Sequence, residues 1–151
     1  MNSFLTGPLQ KRGLLYGLLG TLLMSLIMLI GMGTGLSPIP QPIPLAIVTS
    51  VLDNIAQPLL IIFAIFTHFG YGAFWGAVLF RVVKKRGQTW HGLAMGLFLW
   101  FIMELLVLPW LGWGVFGSAI TPKIAVATLA LHLGVRRSIG LGFKQDLTSN
   151  R

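Results

Sequence analysis

Three ionisable side chains sit inside long apolar runs, and any chemistry in this sequence starts with them: Glu104, His68 and His132. Glu104 lies five residues before Pro109, so at ~1.5 Å per residue it sits about 8 Å below the end of its helix. His68 and His132 each follow a proline, Pro58 and Pro122, by ten residues, which puts both imidazoles about 15 Å deep at one level. Ser25 reaches a similar zone from an earlier helix. An ionisable group in a bilayer costs at least a few kcal/mol unless it is paired, neutral or wet. Glu104 therefore reads either as a proton relay or cation site, or as a hydrogen-bonded carboxyl tying its helix to Ser25, Thr21 or a histidine. The imidazoles read either as interhelical hydrogen-bonding groups or as axial ligands bracketing a haem b iron. A zinc site is not expected, because two histidines lack the third protein ligand such a site takes.

Other chemistry is scarce. There is no phosphate-binding Gly-x4-Gly-Lys-Ser/Thr run, no His-Glu-x-x-His and no Gly-x-Ser-x-Gly elbow. With no cysteine, there is no thiol nucleophile, thiolate metal site or disulfide. His91, beside Trp90, reads as a headgroup contact, and Met24, Met28 and Met32 as packing surface. No enzymatic activity and no bound metal are expected.

The elements that must position these groups follow from composition. The chain has 151 residues, 55% hydrophobic and 9% charged, where soluble domains carry about 25% charged residues. Four segments are long and apolar enough to cross a bilayer as helices: 14–32, 59–83, 91–108 and 123–143. Their length and lack of alternation exclude barrel strands. The expected fold is all-α, a polytopic four-transmembrane-helix bundle filling one domain, 1–151. Its first helix reads as a retained anchor, since the apolar run is longer than a signal-peptide core and no small-x-small cleavage site follows.

Charge sets the expected orientation. Of the 11 Lys and Arg, Lys11, Arg12, Arg81, Lys84, Lys85, Arg86, Arg136, Arg137, Lys144 and Arg151 fall on one side, and Lys123 alone on the other. The positive-inside bias puts both termini in the cytoplasm, which suits the cytoplasmic (inner) membrane of a bacterium. Arg81, Lys84, Lys85, Arg86, Arg136 and Arg137 then suit anionic lipid headgroups. A net charge of +8 without a folded recognition motif does not point to nucleic acid.

On the outer side, Pro38, Pro40, Pro42 and Pro44 favour an extended, stiff course. Over residues 45–57, Leu45, Val48, Leu52 and Ile55 share one helical face and Thr49, Ser50, Asp53 and Gln57 the other, as in an interfacial helix. The alternative is one long helix kinked at Pro58. Trp110 and Trp113 suit the outer aromatic belt, Trp75 and Trp90 the inner one.

The chain also matches itself. A shift of 79 superposes Gly13, Gly17, Met24 and Ser25 on Gly92, Gly96, Met103 and Glu104, and a shift of 64 superposes Pro58, His68, Gly70 and Gly76 on Pro122, His132, Gly134 and Gly140. Two helix hairpins related by a pseudo-twofold axis along the membrane normal are expected. Small residues at four-residue spacing let helices approach in lipid. Such stripes run through Gly13, Gly17, Thr21 and Ser25, through Ala64, His68, Gly72 and Gly76, and through Gly92, Gly96, Trp100 and Glu104. All three should face the bundle interior.

His68-Phe69-Gly70-Tyr71-Gly72 followed by Gly76, the helix from Gly92 to Glu104 ending in Leu108-Pro109 with a Gly-rich outer loop, and a late helix centred on His132 resemble a family. It comprises small four-helix bacterial inner-membrane proteins of unknown function, YagU-like in style, and the likeness runs from about Leu14 to Phe143. Members carry His-x-x-Tyr-Gly in the second and fourth helices; here the fourth has Val135 and Arg136 at the Tyr and Gly places. The resemblance implies the fold but no activity. Function is then expected in one of three forms. The first is an accessory or structural subunit docking to other integral membrane subunits of a larger complex, for instance an energy-converting one. The second is transport or sensing of a proton, cation or amphiphile through the bundle, as a homo-oligomer, using Glu104, His68 and His132. The third is bis-histidine haem b binding.

Overall fold

The computed structural model describes residues 8–52, 54–83 and 89–134. Within them the chain is all-helical, and three helices are long and apolar enough to cross a membrane. α1 (Pro8–Gly33) opens on a proline, whose missing N–H is no loss in a first turn. It closes where Gly35 turns left-handed (φ 72°) and Gly35 N and Ser37 N cap the carbonyls of Met32 and Gly31. After α2 (Ile43–Val51), α3 (Gln57–Val83) and α4 (Thr89–Ile102) complete the long helices. α4 runs on without a break through a π turn, Met103–Val107, and a last turn, Leu108–Trp110. The π turn widens the helix just before Pro109, whose ring would otherwise meet the preceding turn. α5 (Lys123–Gly134) is the start of the expected fourth crossing; the rest of 123–143 lies outside the described residues.

α1 and α3 pack antiparallel along their glycine stripes. A Cβ built on Gly13 would lie 2.6 Å from Gly76 O, and one on Gly17 would fall on Gly72 O. Backbone therefore touches backbone, the approach that small residues permit in lipid. Tyr16 stacks on Phe80 one turn away, ring centroids 5.5 Å apart. The third stripe is turned inward as well: Gly92, Gly96, Trp100 and Glu104 are all buried. Outward, α1, α3 and α4 present Leu15, Ile30, Ile65, Phe66, Phe98 and Leu106, which are exposed as lipid-facing side chains are.

Two expectations about the connections between the long helices are corrected. The short helix is Ile43–Val51, not 45–57, and no long kinked helix replaces it. Pro44 sits in its first turn, Leu52 is extended and Asn54 is left-handed (φ 59°), which ends the helix well before Pro58. The apolar face is as expected, for Leu45, Val48, Leu52 and Ile55 pack on Leu60 and Ala64 of α3, while Thr49 and Ser50 are exposed; Asp53 lies outside the described residues. A second face is buried too. Ile43 and Ala46 join Ile39, delivered by the proline-rich segment, in a core with Leu108, Trp113 and Ile124. α2 is thus wedged between α3 and the α4–α5 connection. Trp113, expected at headgroup depth, is instead part of that core, 9% exposed, because Gly112, Gly114 and Gly117 at positive φ fold the connection back over it. Trp110 (56%) and Trp90 (57%) are exposed as a belt requires, whereas Trp75 is half-buried among Tyr71, Phe74 and Phe98.

The backbone contact makes a direct prediction. Gly17→Leu should lower unfolding stability by about 1–3 kcal/mol or more through overpacking. Gly33→Leu, at a site with nothing within 4 Å, should change it little. An equal response of the two in a detergent-unfolding titration would contradict the packing.

Candidate functional site

Glu104 stands in the π turn of α4 and is fully buried. Its Oε1 is hydrogen-bonded to Thr128 Oγ1 at 2.6 Å, across to α5. Trp100, one turn earlier on the same face, donates its indole N–H to Thr128 Oγ1 at 3.1 Å, with Ala125 O a second acceptor at 3.3 Å. Thr128 also lies 2.8 Å from Ile124 O. One threonine hydroxyl therefore joins two interior polar groups of α4 to α5. Glu104 Oε2 is buried with no hydrogen-bond partner among the described residues. The partners expected for this carboxyl were Ser25, Thr21 or a histidine, and the structure supplies Thr128. Thr21 instead donates to Gly17 O at 2.9 Å within its own helix, and Ser25 is half-buried on α1. Thr128 was open to detection, since it stands one helical turn before His132 and shares its face.

His132 Nδ1 is 2.8 Å from Thr128 O. A carbonyl only accepts, so that nitrogen bears the hydrogen. His132 and His68 both line one cavity of about 330 Å³ between the helices. Thr128, Thr21, Thr67 and Tyr71 also line it, with Met24, Met28, Ile43 and Leu99 among its apolar side chains; Ser25 is not among the lining residues. His68 Nε2 is buried and has no hydrogen-bond partner among the described residues. Its place follows from the glycine contact: continuing the Gly17–Gly72 register by one turn on each helix puts Thr21 level with His68. His91 stacks on Trp90, centroids 3.9 Å apart, away from this wall.

Among the described residues no three His, Cys, Asp or Glu side chains come together as a metal site. Arg81 is exposed at the end of α3; Lys84, Lys85, Arg86, Arg136 and Arg137 lie outside the described residues. Compared with known proteins, the chain matches no family, no curated protein and no solved structure.

The junction at Thr128 can be tested by removing its oxygen. An interhelical hydrogen bond in a membrane protein contributes on average about 0.6 kcal/mol, but Thr128→Val also strands a buried carboxyl, which adds about 1–3 kcal/mol. A loss of about 2 kcal/mol is expected in equilibrium unfolding, against less than about 1 kcal/mol for Thr128→Ser. A Val variant as stable as the Ser variant would show that the hydroxyl is not the junction.

Proposed function

We propose that this is a multi-pass protein of the bacterial cytoplasmic membrane that binds a small amphiphile in its interior cavity, for transport or sensing. The observation behind this reading is His68, which stands on the wall of an otherwise mostly apolar cavity with its Nε2 buried and without a partner among the described residues. A buried unsatisfied group of this kind costs about 1–3 kcal/mol, and an apolar cavity with a few convergent polar groups is the usual form of a small-molecule site. A ligand with an alkyl body and one hydrogen-bonding head would meet both needs. The volume, about 330 Å³, falls at the small end of the range for ligand pockets, ~300–1,000 Å³.

The hairpin repeat supports a site walled by two equivalent halves. The shifts of 79 and 64 carry Gly13 and Gly76, which touch, to Gly92 and Gly140. Twelve residues on along the first helix of that second pair, and twelve back along the other, stand Glu104 and Thr128. These two are in contact, as one shared antiparallel register for both hairpins requires. In the first hairpin the same places belong to Ser25 and Ala64. His68 and His132 would then reach the cavity as repeat counterparts.

A diazirine derivative of decan-1-ol, added to the protein in bilayers, should label the cavity wall. Unlabelled decanol should compete and decane should not. His68→Phe should weaken labelling about fivefold, the ~1 kcal/mol of one hydrogen bond. Equal competition by alkane and alcohol, or labelling indifferent to His68→Phe, would overturn the reading. A haem between the imidazoles would announce itself as a Soret band lost in the same variant. An accessory role would use the exposed aromatic side chains of α3, Phe63, Phe66 and Phe74, and would appear as co-migration with a larger assembly in mild detergent.

Orientation has its own test, because the chain has no cysteine. With single cysteines at Ser118 or Gly87 in intact cells, a membrane-impermeant maleimide should modify Ser118→Cys alone. Modification of Gly87→Cys would reverse the topology.

A further inference from the structure

Thr128 Oγ1 has more partners than its one proton can serve. Trp100 Nε1, at 3.1 Å, can only donate, and shares its one hydrogen between a lone pair of the hydroxyl and Ala125 O. The carbonyl oxygens of Ile124 and Ala125, at 2.8 and 3.1 Å, can only accept, and so take the hydroxyl proton. Glu104 Oε1, at 2.6 Å, is left facing the remaining lone pair. Two oxygens that close are held by a proton between them, and the carboxyl is the group left to supply it. Were the hydroxyl to turn its proton to Glu104 instead, its oxygen would face the Ile124 carbonyl at 2.8 Å with nothing between.

The second carboxyl oxygen agrees. An ionised carboxylate offers about four acceptor sites, and here Oε2 is buried and unserved among the described residues of a side chain with no exposed surface. Nor is a cation paired with this carboxyl among the described residues. On α5 the ionisable groups are His132, whose Nδ1 is bonded to Thr128 O, and Lys123, exposed at the start of the helix. α3 brings His68, whose Nε2 has no partner, and Arg81 at its far end. α4 brings His91, stacked on Trp90, α1 brings Lys11 and Arg12 near its start, and α2 brings none.

We propose that Glu104 holds a proton at neutral pH, donating its O–H to Thr128 Oγ1, and that the Thr128 hydroxyl passes this proton to and from the cavity. Thr128 is placed for it, being both bonded to Glu104 and part of the cavity wall. In the outward step the Thr128 hydroxyl swings from the Ile124 carbonyl toward the cavity and gives its proton to an imidazole nitrogen or a water there. The Glu104 proton replaces it on Oγ1. The carboxyl becomes a carboxylate, the cavity base gains one positive charge, and Thr128 ends as it began. This proton site stands whether or not an amphiphile occupies the cavity.

Glu104 is the sole glutamate in the sequence, so cell-free synthesis with glutamate carrying ¹³C in its side-chain carboxyl labels this group alone. Isotope-edited infrared spectra of the protein in bilayers at neutral pH should show the carbonyl stretch of a neutral acid. The paired stretches of a carboxylate would overturn the proposal. On transfer to deuterium oxide, the acid band should shift as O–H becomes O–D. That exchange should slow about tenfold or more in Thr128→Val, a barrier increase of about 1.4 kcal/mol, and keep its wild-type rate in Thr128→Ser. Equal rates in both would overturn the relay. Should Thr128→Val not assemble, Leu131→Trp, which fills the cavity from α5, must slow exchange likewise, and an unchanged rate there would overturn the relay in the same way.

Discussion

Gly13 and Gly17 rest against Gly76 and Gly72 with no side chain between them, and the spacing of the whole interior depends on that contact. Where two helices are held backbone to backbone, a side chain one turn further along has no room to extend between them and must turn aside. Thr21 does so by folding its hydroxyl onto Gly17 O. His68 does so by turning to the cavity wall. The space between the α1–α3 pair and the α4–α5 pair is what remains once the first pair has closed. In lipid, where burying apolar surface offers little advantage, such close packing is a main source of helix association.

The interior polar groups meet two different fates. On the α4–α5 side, Trp100, Glu104 and Thr128 are bonded to one another, and the hydroxyl of a single β-branched residue is the shared member. Two buried atoms, His68 Nε2 on the α3 side and Glu104 Oε2 beside that junction, are left without a partner among the described residues. Water would erase this contrast by serving both sites. In a low-dielectric interior it persists, because each unserved atom raises the free energy of the state that hides it. In the sequence shifts of 79 and 64, Ser25 and Ala64, small and neutral, stand against Glu104 and Thr128, acidic and hydroxylated.

The segment between α1 and α3 shows how a proline-rich connection can be structural. Its prolines keep the chain extended, so that Ile39 enters the core shared with Leu108, Trp113 and Ile124 and α2 is delivered between α3 and the turn after α4. Positive φ at Gly112, Gly114 and Gly117 folds the other connection inward to meet it. Ile43, Pro44 and Ile47 of α2 also line the cavity, so the same wedge that joins the helix pairs forms part of the site's wall.

Much of this was legible in the residues themselves. The length of the apolar runs determined the helices, because backbone polar groups in lipid must be paired within the segment. Four-residue spacing of small side chains marked faces that are buried on α1, α3 and α4, and the two histidines read as interior both line the cavity. What the sequence could not decide was partner choice. Ser25, Thr21 and Thr128 are all hydroxyl residues at suitable depth, and only the rotation of each helix about its axis, set by packing against neighbours, brings Thr128 to Glu104 and keeps Ser25 away. Trp113 is the same case, for an indole suits a headgroup belt and a core equally until the fold of its loop selects one. Periodicity specifies a face and a level; the atom across the gap is chosen by tertiary contact, because hydrogen bonds fail over a few tenths of an ångström and sequence spacing is coarser than that.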